Sequence, residues 1–331
     1  MLFFTGILNL QLNQKNMWQN STKKVNPTAV TFLSFIMLML FVFCTEEGIS
    51  QTEAQPSDVE SVQFHIPDTH LIGGFALGTQ SYTFNRYSAF EAIEMTAKAG
   101  GRVIELYRQK VWPDENDDTR LVPGVSDEVI EAVKQKLDEH DIIAVNYGNI
   151  PLPNDEAELR EVFDFAQKLG VKAITSEPSE DAMDLIEQMV VEYGIAVAVH
   201  NHPPRPDRPD YRHWDPEFVL SMVEGRDSRV GVCADIGHYV RSDLDPVETL
   251  KLLEGRIISM HFTDVDQWGA EGEDTVAGTG VIDLPSVLAE LKRQNFGGNI
   301  SIEYENNWYE NITDVAQFIG FVRGWAMTSN Q

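Results

Sequence analysis

Residues 195–238 read IAVAVHNHPPRPDRPDYRHWDPEFVLSMVEGRDSRVGVCADIGH, and the succession of patterns in this stretch decides the fold. A β-branched run at 195–200 gives way to a Pro-rich polar loop. A helical pattern opened by Asp215-Pro216 follows, and then a second β-like run at 230–235. Strand, helix and strand in that order make a parallel βα unit. The pattern spreads both ways. Strands are expected at 72–77, 102–106, 141–147, 172–175, 195–200, 230–235, 256–262 and 299–303, with amphipathic helices between them and after the last. Several helices open on Ser or Asp and close on Gly, which marks their ends. Eight such units over about 260 residues predict an α/β (β/α)8 TIM barrel, one domain at 69–331. An open dinucleotide-binding sheet is disfavoured, because no G-x-G-x-x-G opens the first helix.

Upstream, Ala29 to Phe43 is an apolar run, AVTFLSFIMLMLFVF, preceded by Lys23 and Lys24 and followed by Cys44. The run is short for a bilayer span and has the basic flank of a secretory signal. Residues 1–44 are therefore expected to be an N-terminal extension and a secretory or lipoprotein-type signal, with Met17 a better-proportioned start than Met1. Cys44 is a candidate lipidation site, although Phe43 is large for such a cleavage; simple secretion and an uncleaved anchor are the alternatives. Residues 45–68 are polar and aperiodic, a linker. The expectation is export, to the periplasm or to a membrane through Cys44. Cys233 is the only other cysteine and falls in a strand, so no intrachain disulfide is expected in a processed chain.

The charge balance limits the partners. Against 52 Asp and Glu there are 25 Lys and Arg, a formal net charge of −27, which repels phosphate backbones and argues against nucleic acid as a partner. In the loop after residue 200, Arg205, Arg208 and Arg212 are candidate anion contacts, with pairing to Asp207 and Asp210 the duller alternative.

In a barrel of this kind the chemistry sits at the C-terminal strand ends, and alternate residues face inward. The fifth strand sets Ala196, Ala198 and His200 on one side, the sixth Gly231, Cys233 and Asp235. The seventh gives Ile257, Ser259 and His261, the eighth Asn299, Ser301 and Glu303. Each row ends in one polar residue above smaller ones. Two imidazoles and two carboxylates from four neighbouring strands suit a divalent metal, Mn²⁺, Zn²⁺, Co²⁺ or Mg²⁺. His202 is a candidate structural or substrate contact, and His238 is placed to touch a metal-bound substrate. Glu105 and Glu177, at the ends of the second and fourth strands, are each either a proton carrier or an ion-pair residue.

The chain resembles the sugar isomerase/epimerase superfamily of xylose isomerase-like barrels, which includes hydroxypyruvate isomerase, ketose 3-epimerases, inosose dehydratase and endonuclease IV. The resemblance runs over about residues 70–327. It rests on Val103-Ile104-Glu105-Leu106, VHNHPP, CADIGH, ISMHFTDVD, GTGVIDLPSV and ISIEYENNW. It implies a metal held at His200, Asp235, His261 and Glu303, with His238 against the substrate. One departure stands out: the fifth-strand ligand of the epimerases is a Glu that also moves protons, and here it is His200. Six residues on, where those epimerases offer a carboxylate, stands Pro206. The two-Glu epimerase mechanism therefore does not transfer, and the endonuclease branch is disfavoured by the acidic surface.

The expected activity is a metal-dependent isomerisation or epimerisation of a small sugar or keto-sugar through an enediolate, with Glu303 the leading base, Glu177 or Glu105 its partner, and Glu105 also a candidate substrate contact. A lyase or dehydratase acting on a 3-keto-glycoside or inosose at the same metal site is the alternative. A non-catalytic sugar-binding lipoprotein is the second alternative. A second copy of the chain is the remaining expected partner.

Overall fold

The two glycines Gly73 and Gly74 take left-handed φ angles of 65° and 92°, so the chain turns where the sequence pattern suggests a first strand at 72–77. They close a short hairpin between Leu71–Ile72 and the true first barrel strand, β1 (Phe75–Gln80). The shift carries Gln80, not Leu77, to the strand's C-terminal end. The computed structural model describes residues 62–329. The expected signal at 1–44 lies outside them, as does most of the expected linker.

Seven more strands follow: β2 (Val103–Leu106), β3 (Ile143–Tyr147), β4 (Ala173–Ser176), β5 (Ala196–His200), β6 (Val230–Asp235), β7 (Ile257–Phe262) and β8 (Asn299–Ile302). Each pairs in parallel with its neighbours, and β8 pairs with β1, which closes an eight-stranded barrel. Around it lie α1 (Ala89–Ala99), α2 (Asp127–Glu139), α3 (Glu156–Leu169), α4 (Met183–Tyr193), α5 (Pro216–Val223), α6 (Ile236–Arg241), α7 (Pro246–Leu252), α8 (Leu284–Arg293) and α9 (Ile312–Ser329). Their ends follow the sequence signals. Ser88 and Glu91 form a capping box on α1, and Asp155, Asp215, Asp245 and Asp283 accept first-turn amides. Only α6 is not expected from the apolar pattern; it is a single short helix capped by the end of β6.

Outward residues such as Val197, Val199, Val232 and Met260 bury against the helices in one large apolar cluster, each worth about 1.5–3 kcal/mol relative to exposure. Inside the barrel the residues are small: Ala173, Ala196, Ala198 and Cys233 pack with Ile258. Ile257, expected inward with His261, instead faces the helices. The β6 to β7 register slips at that point, pairing Val232 with Ile257 but Cys233 with Ser259. This one-residue bulge at Ile258 restores the inward row at Ser259 and His261.

The lower end of the barrel is closed by the segment entering it. Val62 and Phe64 pack against the Ala173, Ala198 and Ile258 cluster, and Ile66 against Ala76, Val103 and Val145. The Phe64 amide donates to Gly297 O at 2.8 Å. Residues 62–68, expected to end a linker, are thus part of the domain, because their alternate apolar side chains find the open bottom of the barrel.

Candidate metal centre

At the upper end, the final inward residues of β5, β6 and β7 and the residue after β8 turn toward one point. His200 Nε2 lies 3.1 Å from His261 Nδ1, and both nitrogens lie 3.7 Å from Asp235 Oδ2. His261 Nδ1 is 2.7 Å from Glu303 Oε2. One ligand atom from each of the four residues falls within 4.8 Å of all the others. The four metal ligands expected from strand parity are therefore brought together.

The donor set fits a cation because of what holds each ring from behind. Glu105, wholly buried on β2, reaches His261 Nε2 at 3.1 Å. Burial alone would raise its carboxyl, but the imidazole of His261 keeps it below the usual range. An ionised carboxylate only accepts, so Nε2 carries the hydrogen and Nδ1 turns a lone pair inward. On the other side, His200 Nδ1 lies 3.3 Å from Glu177 Oε1, leaving Nε2 for the interior. Two imidazole lone pairs and two carboxylate oxygens then face one another, an arrangement that only positive charge stabilises. With protons alone to supply it, His261 is pushed well above an ordinary imidazole; burial opposes the rise, and Glu303 and Glu105 are among the anions that drive it. Burial lowers His200 too, but Asp235 and Glu177 outweigh it and raise it to about 10. His238, His200 and His261 hold Asp235 well below the usual carboxylate range against its burial.

Asp235 serves twice. Its Oδ1 accepts the His238 amide at 2.7 Å and starts α6, while Oδ2 faces the imidazoles. Capping and ligation are usually competing readings of a strand-end Asp; here one carboxylate has an oxygen for each.

The other expected site residues take different places. Glu105 braces His261 from within the barrel and does not line the cavity above it. Glu177 does line the cavity, but its carboxylate accepts from His202 Nδ1 at close contact, from His200 Nδ1 and from Asn149 Nδ2 at 3.3 Å, and lies 3.6 Å from Arg205 Nη2. Burial is overcome by these donors, and its carboxyl is held far below the ordinary range. That arrangement orients His200 and His202. His202 borders the cavity as a candidate substrate contact. His238 does not: its ring lies behind His202 at 4.7 Å, with Nδ1 3.4 Å from Arg241 Nη1 and Nε2 3.7 Å from Asp235. Burial keeps it well below an ordinary imidazole, hence neutral. Arg205 pairs with Glu177 and Arg212 with Asp215, while Arg208 lies over Tyr211, so Asp207 and Asp210 are not their partners.

The cavity above the cluster has a volume of about 450 Å³, the size of a small-molecule site. The β5–β8 side supplies Glu303 and the imidazoles. The opposite wall is built from Gln80 at the end of β1 and from the connections after β1 and β2, with Tyr82, Tyr107 and Arg108, none of which the strand pattern singles out. Glu305, also on the wall, is raised to about 8 by its enclosure and by the nearby Glu303, Asp274 and Asp235. Its two-residue spacing from Glu303 was the available signal. The GTG of residues 278–280 proves structural: Asp264 accepts the Gly278 and Gly280 amides, each at 2.9 Å, and a Cβ on Gly280 would meet Asp264 Oδ1 at 2.3 Å.

Residues 93–323 match the model of the xylose isomerase-like TIM barrel family. The chain belongs to that family. Among curated members, the rhizopine catabolism protein MocC of Rhizobium meliloti is 29% identical over 165 residues, 42% of this chain and 49% of that one. The match thus spans about half the length of that relative. Among solved structures, an uncharacterized protein of Parabacteroides distasonis is 30% identical, over 76% of this chain and 98% of that one, with a TM-score of 0.61. A D-tagatose 3-epimerase-like protein shares the fold at 20% identity and a TM-score of 0.59, over 77% of this chain and 98% of its own.

Proposed function

We propose that this chain is a divalent-metal-dependent enzyme that removes a proton beside the carbonyl of a sugar or keto-sugar and carries the substrate through an enediolate to an isomer or epimer. The observation that carries the reading is the convergence of His200, Asp235, His261 and Glu303 beneath an open cavity, with two carboxylates bracing the two imidazoles. A bound divalent cation supplies Lewis acidity at the substrate oxygens and a counter-charge for the enediolate. The protein does the rest. Glu303 Oε2 projects from the end of β8 and is the base, because Asp235 is tied at one oxygen to the α6 amide. Glu105 and Glu177 fix the His261 and His200 rings, so no reorganisation is needed when charge develops.

His200 favours a second reading on the same site. A carboxylate at the end of the fifth strand is absent, so proton exchange between Glu303 and a second Glu facing it from that strand is not available. β-Elimination from a 3-keto-glycoside or inosose needs only one base at this step, and Glu303 serves it equally. The export signal is part of the same proposal: mass spectrometry of the processed chain is expected to find its N-terminus at or just after Cys44, and a product retaining Met1 to Phe43 contradicts it. Incubation of the Mn²⁺-loaded protein in D₂O with aldoses, ketoses and 3-keto-glycosides tests the chemistry. An isomer or epimer is expected to carry deuterium at a carbon that has exchanged its proton, whereas elimination is expected to yield an unsaturated keto-sugar without it; neither product across the panel overturns both readings.

A further inference from the structure

The wall of the cavity that faces the metal cluster differs from the rest of this acidic chain. Tyr107 and Tyr82 meet edge to face with ring centroids 5.1 Å apart, and Tyr82 meets Trp308 the same way at 5.9 Å. Arginines flank this aromatic row at both ends. The Arg86 guanidinium lies 5.6 Å from the Trp308 ring centre, and that of Arg108 lies 5.6 Å from Tyr107, donating from Nε to the phenol oxygen at 3.2 Å. Arg120 adjoins Arg108, donating to its carbonyl at 3.3 Å.

These three arginines have no carboxylate partner among the described residues. Many of the other arginines are paired, Arg160 with Glu192, Arg226 with Glu187, Arg229 with Asp227, Arg241 with Asp274 and Arg293 with Glu254, whereas Arg256 and Arg323 meet backbone carbonyls and Arg208 lies over Tyr211. Of the acids close to the row, Glu305 shares the cavity wall, and Asp114, Asp117 and Asp118 are engaged elsewhere. Asp118 pairs with Lys110, and Asp114 and Asp117 accept the Asn116 and Thr119 amides. A guanidinium stacked on an aromatic ring keeps its outer N–H fork free, which suits bidentate contact with a carboxylate or sulfate. The half-buried rings of Tyr82 and Tyr107 at the cavity suit the apolar face of a sugar.

We propose that this rim seats an anionic sugar ring, so that the substrate is an acidic saccharide whose carboxylate or sulfate meets Arg108 while its reacting end reaches the metal cluster. The proposal rests on the reading of the cavity as a sugar site and extends it to a substrate class.

Calorimetry with three probes tests it: methyl β-D-glucuronide, glucose 6-sulfate and the neutral methyl β-D-glucoside, each with and without Mn²⁺. At least one anionic probe is expected to bind about tenfold or more tighter than the neutral one, the lower end of what a hydrogen bond to a charged group contributes. Which anionic probe shows the preference tells carboxylate from sulfate. The preference is expected to survive metal removal and to vanish in Arg108→Gln. Arg108→Lys, which keeps the charge and loses the fork, is expected to fall between. Equal binding of all three probes overturns the proposal, as does no binding of either anion. A preference that disappears with the metal, or that persists in Arg108→Gln, does the same. An anionic preference without deuterium exchange or an elimination product sinks the enediolate reading alone, whereas either reaction on neutral sugars without the preference sinks this one alone.

Discussion

The two walls of the cavity are made differently. On the β5–β8 side the functional groups sit on strand ends, where backbone pairing fixes each Cβ and a second carboxylate fixes each ring. Across from it, Tyr82, Tyr107 and Arg108 stand on the connections after β1 and β2 and are held by contacts with one another and, for Tyr82, with Trp308. Rigid positioning is what a reacting centre requires, and adaptable aromatic contacts are what recognition of varied ligands tolerates. The molecule thus separates reaction from recognition by placing one on the sheet and the other on its connections.

The sharpest way to break that separation is at Glu303. Glu303→Gln keeps the size and one ligand oxygen but removes the base, so turnover is expected to fall by about 10² to 10⁴ while bound Mn²⁺ largely persists. Near-native deuterium exchange in this variant would move the base to the opposite wall. Glu105→Gln probes a residue that crosses between the walls, since it leaves β2 and braces His261. Metal affinity is expected to drop by about 10- to 100-fold, the usual effect of losing a partner behind a ligand, read in a competition titration with a chelating dye. Unchanged affinity would mean that the His261 ring is held by packing alone.

The difference between the walls also governs what could be read from the sequence. Period-two alternation carries His200, Asp235, His261 and Glu303 to one side because a strand side chain has only two directions to choose from. That logic gave all four converging groups and the barrel that presents them. It failed at Ile257, where a one-residue bulge shifts the row and nothing in the string IISMHF marks it. At Gly73 and Gly74 a turn was taken for strand, although two successive glycines were themselves the warning. Loop residues have no period, so Tyr107, Arg108 and Trp308 could not be placed without coordinates. Glu177 shows another limit: its contacts with Asn149, His200, His202 and Arg205 come from the folding of two separate segments against it, which no local pattern announces.

Smaller effects are expected away from both walls. Phe64→Ala removes an apolar side chain from the barrel's lower closure, and about 1–2 kcal/mol of stability should go with it, seen in a denaturant melt. Metal affinity is expected to stay unchanged; a parallel loss would show that the bottom of the barrel tunes the top. The smallest effect concerns Asp227, whose carboxyl is lowered to about 2, chiefly by hydrogen bonds from Arg229. A carboxylate depressed on folding stabilises fully above its unfolded value of 3.8 and loses that contribution as pH falls through 2. Asp227→Asn is therefore expected to lower the melting temperature slightly at pH 7 and to match the parent near pH 2. A gap that stays constant with pH would assign the effect to geometry instead of charge.

Asp235 joins two events that are usually measured apart. Because its two oxygens share one carbon, a cation drawing on Oδ2 also restrains Oδ1, the acceptor of the His238 amide in the first turn of α6. Loading the site should therefore slow solvent exchange of the His238 amide, four strands' width away from the aromatic rim and independent of any substrate. Occupancy of the centre can then be followed on a single backbone proton, and a mutation that frays α6 would register as weaker metal retention even with every ligand in place.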